Sequence, residues 1–165
     1  MISVLYVDDE PELLEIGKLF LEKKCAIRVD TALSALDALK ALEQHHYDAI
    51  ISDYQMPGIN GIEFLKKTRK KYGDIPFILF TGKGREEVVI EAINFGADFY
   101  IQKGGAPDSQ FAELAHKVRQ AVKRRRAESG LQDALMFNQE VIEGAGEGFI
   151  VLDDDLRCII WNRFM

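Results

Sequence analysis

Five short apolar runs punctuate the first hundred residues: Ser3 to Val7, Ala26 to Val29, Ala49 to Ser52, Phe77 to Phe80 and Phe99 to Ile101. Each is too short for a helix and suits a strand buried on both faces. Between them the apolar positions recur at helical spacing: Leu13, Gly17, Phe20 and Leu21, then Leu36, Leu39 and Leu42, then Phe64, Leu65 and Thr68, then Val88, Ala92 and Ile93. Strands that alternate with crossover helices predict a parallel sheet wrapped by helices.

The breakers agree with that division. Pro11 suits the first turn of the first helix, Ser34 can cap the second, and Gly96 can close the fourth in a left-handed conformation. Length and strand count favour an α/β, flavodoxin-like, doubly wound five-stranded parallel sheet of order 2-1-3-4-5. Ligands in such a sheet lie beyond the carboxyl ends of the strands, where strands 1 and 3 diverge.

From about Ser109 the pattern changes. Phe111, Leu114, Val118, Ala121 or Val122 and Arg125, then Leu131, Leu135, Asn138 and Ile142 beyond Gly130, recur at steps of three and four. The spacing predicts a fifth helix that overruns the domain. Two readings stay open: a paired stalk with a period near 3.5, or a helix that ends near Arg126 and leads into a joint. Gly148 to Leu152, the acidic Asp153-Asp154-Asp155 and Leu156 to Asn162 then read as a hairpin, a short β-rich appendage. With no third strand before Met165, we expect a fragment of a longer protein.

Composition narrows the class. The chain has 165 residues, a net charge of −6, and 47% hydrophobic and 29% charged residues, which suits a folded globular protein rather than a disordered one. No apolar stretch approaches the ~20 residues of a membrane span. The opening apolar run is too short for a signal peptide, so a cytoplasmic location is expected. The acidic balance lacks the basic footprint of nucleic-acid binding, and Lys123-Arg124-Arg125-Arg126 reads as a solvated helix face. Cys25 and Cys158 are far apart and unaccompanied by metal-ligand spacing, so both are expected to be buried thiols.

The residues that carry chemistry lie where strands end. Asp8, Asp9 and Glu10 follow the first strand and Asp53 follows the third, so several carboxylates should share one sheet edge. Like charges crowded in this way raise one another's pKa values unless a hard divalent ion such as Mg2+ neutralises them. Thr81 offers a hydroxyl and Lys103 an ammonium to the same edge. Metal, ammonium, donor and in-line carboxylate together match the needs of a transferred phosphoryl group, with Asp53 as nucleophile.

Asp8-Asp9, Asp53 followed by Met56-Pro57-Gly58 and Gly61, Thr81-Gly82, Gly96-Ala97-Asp98 and Lys103 fall in one order at compatible intervals. In these motifs residues 1–122 resemble the receiver domain of two-component response regulators. The resemblance implies that Asp8, Asp9 and Asp53 hold Mg2+ with the backbone carbonyl of Gln55. It implies an aspartyl phosphate on Asp53, donated by a histidine kinase or phosphotransfer protein, with Thr81 and Lys103 as partners in catalysis. The only reactions implied are uptake and hydrolysis of that phosphoryl group. A switch is implied too, in which Thr81 moves toward the phosphoryl group, Tyr100 swings inward, and the face of helix 4, strand 5 and helix 5 changes. A homodimer through that face or through the linker helix is one expectation; no nucleic-acid partner is expected.

This sequence departs from the family at Gly104-Gly105, where receivers usually place a proline after the lysine. Gln55 and Lys83 occupy the variable positions that modulate phosphoryl gain and loss. Residues 123–143 read as a helical linker, and residues 144–165 resemble the incomplete opening of a PAS sensory domain. The parent protein would then be a stand-alone regulator or a larger sensory histidine kinase. Three rival classes fit these residues less well. A haloacid-dehalogenase-like phosphatase would need an acid where Gln55 stands, and an FMN carrier would not open its first loop with Asp8-Asp9-Glu10-Pro11. A receiver-like module that never takes phosphate would have no use for the full acid, Thr81 and Lys103 set. His116 reads as a helix-surface histidine, His45 and His46 as the end of helix 2, and Tyr47 and Tyr72 as rim aromatics.

Overall fold

A computed structural model describes residues 1–82, 86–144, 148 and 150–161. The elements run β1 (Ile2–Val7), α1 (Pro11–Cys25), β2 (Ile27–Ala32), α2 (Ala35–Gln44), β3 (Ala49–Ser52), α3 (Gly61–Tyr72), β4 (Phe77–Thr81), α4 (Glu86–Asn94), β5 (Phe99–Gln102), α5 (Pro107–Gly144), β6 (Ile150–Leu152) and β7 (Cys158–Trp161). The first five strands form a parallel sheet of order β2-β1-β3-β4-β5, and β6 pairs with β7 alone. Residues 1–125 and 126–165 form two separate compact units.

Alternation along each strand divides the core in two. From β1, Val4 and Tyr6 join α1 and the first turns of α5, while Leu5 and Val7 join α2 and α3. The register sets the strand ends level. Val7 lies opposite both Ala32 and Ser52, so Asp8 and Asp53 leave the sheet side by side.

Local signals account for most helix ends. Pro11 opens α1, and the Ser34 side chain accepts the Asp37 N–H at the start of α2. Gly96 closes α4, its N–H donating to Ile93 and that of Ala97 to Ala92, a Schellman arrangement. Ala26, expected in the second strand, instead closes α1 in the left-handed region at φ 51°.

The stripes differ from expectation where helices lie close to the sheet. α1 buries Leu14 rather than Leu13, and α2 packs Ala35 and Ala38, leaving Leu36 57% exposed. On α4 only Val88 and Ala92 are buried, and Ile93 stands in solvent. Small residues permit close approach, and the larger neighbours then fall outside the contact. The α3 stripe is as expected, with Phe64, Leu65 and Thr68 all buried.

α5 does not end near Arg126; it is continuous for 38 residues and carries Gly130 in its interior. Nor is its basic run wholly solvated: Arg124 pairs with Asp98, and Arg125 lies 3.6 Å from Asp74. Two smaller expectations fail too. Cys158 is exposed and Cys25 only half-buried. Tyr47 is a core residue rather than a rim one, its hydroxyl donating to Asp30 at 2.9 Å. The terminal strands form an antiparallel hairpin whose turn is held by Asp153, which accepts the N–H groups of Asp155 and Arg157. Asn162, the last residue expected in that hairpin, lies outside the described residues. Among the described residues no helix is long and apolar enough to cross a membrane.

The loop after β3 is pulled tight against α3. A Cβ on Gly61 would lie 2.3 Å from the Asp53 carbonyl oxygen and 2.9 Å from Leu79 Cδ1. Gly61→Ala should therefore lower stability by about 1–3 kcal/mol, the usual penalty of overpacking. Urea unfolding followed by circular dichroism measures it, and an unchanged midpoint would contradict the close approach.

Candidate functional site

The carboxyl ends of β1, β3, β4 and β5 supply one group of side chains. Asp8 follows β1 and is wholly buried; Asp53 follows β3 and is 4% exposed. Backbone bonds fix both, the Asp8 N–H reaching Ala32 at 3.1 Å and the Asp53 N–H reaching Val7 at 2.8 Å. Lys103, just beyond β5, places Nζ 2.7 Å from Asp8 Oδ2 and 2.8 Å from Asp53 Oδ1. Its own N–H donates to the Thr81 carbonyl at 2.8 Å, which sets it beside the buried end of β4.

Gly104-Gly105, the departure from the family pattern, takes φ values of 152° and 85°. Proline, locked near −65°, cannot adopt either. The glycine pair thus leaves β5 by another route, and Lys103 still reaches both carboxylates.

The electrostatics are lopsided. Two carboxylates share one ammonium, so the cluster keeps a negative charge. Burial pushes the Asp8 carboxyl above the usual carboxylate range, the Lys103 ammonium and the Glu10 N–H pull it down, and Asp53 pushes it up again; the net direction is up. For Lys103, burial pulls downward, but hydrogen bonds and charge from Asp53 and Asp8 outweigh it, so its pKa rises. The second oxygen of Asp53 accepts the Gln55 N–H at 2.5 Å.

These donors fit a hard cation: they are oxygen ligands, buried, and short of positive charge. The structure brings together Asp8, Asp53, Lys103, Thr81 and Gln55. It leaves Asp9 exposed, and among the described residues no three acid, histidine or cysteine side chains are grouped closely enough to hold a metal unaided. Tyr100 is partly buried, its hydroxyl enclosed without a hydrogen-bond partner; burial, then the charge of Asp53, raises its pKa. Lys83 lies outside the described residues.

Two residues near the site went unread in the sequence. Tyr6 is fully buried with an unpartnered hydroxyl, and burial followed by the charges of Asp8, Asp53 and Glu10 raises its pKa. Strand alternation could have found it, since residues two apart share a face. Phe80 lies under the Lys103 ammonium, 5.8 Å from ring centroid to nitrogen. Nothing in the sequence pairs those two positions.

Fold and site define a doubly wound α/β domain with an acid and lysine cluster at the carboxyl edge of its sheet. The chain belongs to the response regulator receiver domain family, whose model matches residues 4–118. It is 35% identical over 144 residues to the response regulator Rre1 of a Synechocystis strain, covering 86% of this chain and 61% of that protein. It is 34% identical over 107 residues to the response regulator SaeR of Staphylococcus aureus, covering 65% and 46%. The chain thus spans roughly half the length of these curated relatives. Among solved structures, a receiver domain from Clostridium thermocellum has a TM-score of 0.69 at 26% identity, covering 77% of this chain and 98% of that one. The Thermotoga maritima response regulator TrrA, solved in complex with Mg2+-BeF, has a TM-score of 0.64 at 35% identity, covering 73% and 99%.

Lys103→Met would leave Asp8 and Asp53 buried without their cation. The expected loss is about 3–5 kcal/mol at neutral pH, the range for breaking a buried pair. The sign with pH follows from Asp8: its raised pKa means that acid neutralises it early, so the deficit of the variant should shrink as pH falls. Urea unfolding of both proteins across a pH series measures this, and equal stability at pH 7 would contradict it.

Proposed function

We propose that this chain is a Mg2+-dependent phosphoacceptor, taking a phosphoryl group onto Asp53 from a histidine kinase or phosphotransfer protein. The observation that carries the reading is the buried Asp8–Lys103–Asp53 cluster beside Thr81. Family membership, and a structural neighbour solved with Mg2+-BeF, support it.

In the step, an Asp53 carboxylate oxygen attacks phosphorus in line. The bond from phosphorus to the donor imidazole nitrogen breaks, and its electron pair leaves with the imidazole. Asp8, Asp9, Asp53 and the Gln55 carbonyl would hold Mg2+, which would supply positive charge at the phosphoryl oxygens. Lys103 exchanges its contact with Asp53 for a phosphoryl oxygen, and the Thr81 hydroxyl donates to another. Attack of water on the same phosphorus returns the free carboxylate.

The switch follows from that exchange. Movement of Thr81 toward the phosphoryl group opens space for Tyr100, whose ring already packs at the edge of the core. The α4, β5 and α5 face is the output surface, and exposed Ile90 and Ile93 suit it to a partner. We assign residues 1–122 as the receiver, 123–143 as a helical linker and 144–165 as the opening of a PAS-like module, a role the β6–β7 hairpin and its acidic turn support. A parent regulator or sensory kinase in the cytoplasm fits these parts.

Incubation with Mg2+ and acetyl phosphate, read by intact mass, should add one phosphoryl group to the wild type and none to Asp53→Asn. Chelation of Mg2+ should abolish uptake. A folded wild type that gains nothing, or an Asp53→Asn chain that gains the same adduct, would refute the assignment.

A further inference from the structure

The backbone around Lys103 is fixed on one side only. Its N–H donates to the Thr81 carbonyl at 2.8 Å, but the chain runs on into Gly104-Gly105, where a Cβ at either glycine would meet nothing within 4 Å. The loop beyond β5 therefore does not pack the lysine into place. The packing comes from β4. Phe80 lies opposite Ile101 in the sheet, and Ile101 and Lys103, two residues apart, share the face on which Phe80 is buried. The Lys103 ammonium sits over the Phe80 ring, 5.8 Å from its centroid, while it reaches Asp8 and Asp53.

That ring has no room to retreat. The Tyr6 ring lies 6.4 Å from it and the Phe111 ring 6.0 Å, with Phe20 a further 5.7 Å from Phe111. Four aromatic side chains from β1, β4, α5 and α1 thus form one packed group, and Tyr6, Phe80 and Phe111 are fully buried in it. Gly17 leaves no slack beside them: a Cβ there would lie 2.6 Å from Tyr6 Cε1 and 2.9 Å from Phe111 Cε1.

We propose that Phe80 is a positioning residue for phosphoryl transfer, its ring face holding the Lys103 ammonium at the two carboxylates without engaging its N–H donors. The inference rests on the reading of Asp53 as phosphoacceptor. The face of an aromatic ring is negative and attracts a cation, yet it is uncharged and adds nothing to the surplus carboxylate charge of the cluster. A carboxylate or carbonyl in its place would hold the ammonium by a hydrogen bond, one more to break as Lys103 turns from Asp53 to a phosphoryl oxygen. The ring keeps its attraction throughout that exchange.

The test uses the 165-residue chain with Phe80 replaced by phenylalanines carrying one, two and three ring fluorines, which drain the face of negative charge and barely change its size. The initial rate of phosphoryl uptake from acetyl phosphate with Mg2+, read by intact mass, should fall stepwise along the series. The fall should reach about three- to tenfold at three fluorines, the scale of one partly desolvated cation–π contact. The same series at Phe111, which touches Phe80 but not the ammonium, should leave the rate unchanged. Circular dichroism at the assay temperature checks that every chain is folded. A flat series at Phe80, or an equal fall at Phe111, overturns the proposal, the second by tracing the effect to packing alone. An unsubstituted chain that takes up no phosphoryl group overturns the reading of Asp53 and this inference with it, whereas a flat series on an active chain overturns the role of Phe80 alone.

Discussion

Two carboxylates held in the protein interior against a single ammonium set the terms for the carboxyl edge of the sheet. Asp8 and Asp53 can meet there only because β1 and β3 end level, and Lys103 can bridge them only because β5 delivers it beside Thr81. Burial strengthens each attraction and also makes the uncompensated charge expensive. The cluster is therefore a poor source of net stability and a good receptor for further positive charge. Its burial gives an incoming cation, or a phosphoryl group accompanied by one, a large differential interaction to work with.

The opposite end of the sheet is built to different rules. Asp98 brackets Phe77, its N–H donating to the Phe77 carbonyl and its carboxylate accepting the Phe77 N–H, both at 2.8 Å. Arg69 reaches from α3 to the carbonyls of Gly73, Ile75 and Gly96 as well as to Asp98, and Arg124 adds a contact from α5. These charged groups have compensating partners. At the carboxyl edge, by contrast, the enclosed hydroxyls of Tyr6 and Tyr100 have none, each costing about 1–3 kcal/mol by the usual measure of an unsatisfied buried group. Among the described residues the Tyr72 hydroxyl, at the end of α3, and the Gln110 amide, in α5, are enclosed without a partner as well. The base holds the strands in register while that edge stays responsive to ligand.

Much of this was legible in the chain itself. Runs of apolar residues, the helical spacing between them and the acids at strand ends led directly to the sheet order and to Asp8, Asp53, Thr81 and Lys103. Period and end signals arise within a few residues, and so survive without knowledge of the fold. Pro11 and Ser34 act in the same local way.

Tertiary structure decided the rest. Which side of α2 meets the sheet depended on how closely Ala35 and Ala38 could approach, and Leu36 lost its expected place as a result. Phe80 and Lys103 became neighbours only through β4 and β5 pairing, and the role of Arg69 appeared only when the α3–β4 and α4–β5 loops converged on it. Asp9 stands next to Asp8 in sequence yet is exposed while Asp8 is buried, because successive residues at a strand end point to opposite sides. Local order fixed which groups reach the edge of the sheet. Their burial, their sharing of one ammonium and the charge left over follow from packing between residues far apart in the chain, which no local pattern encodes.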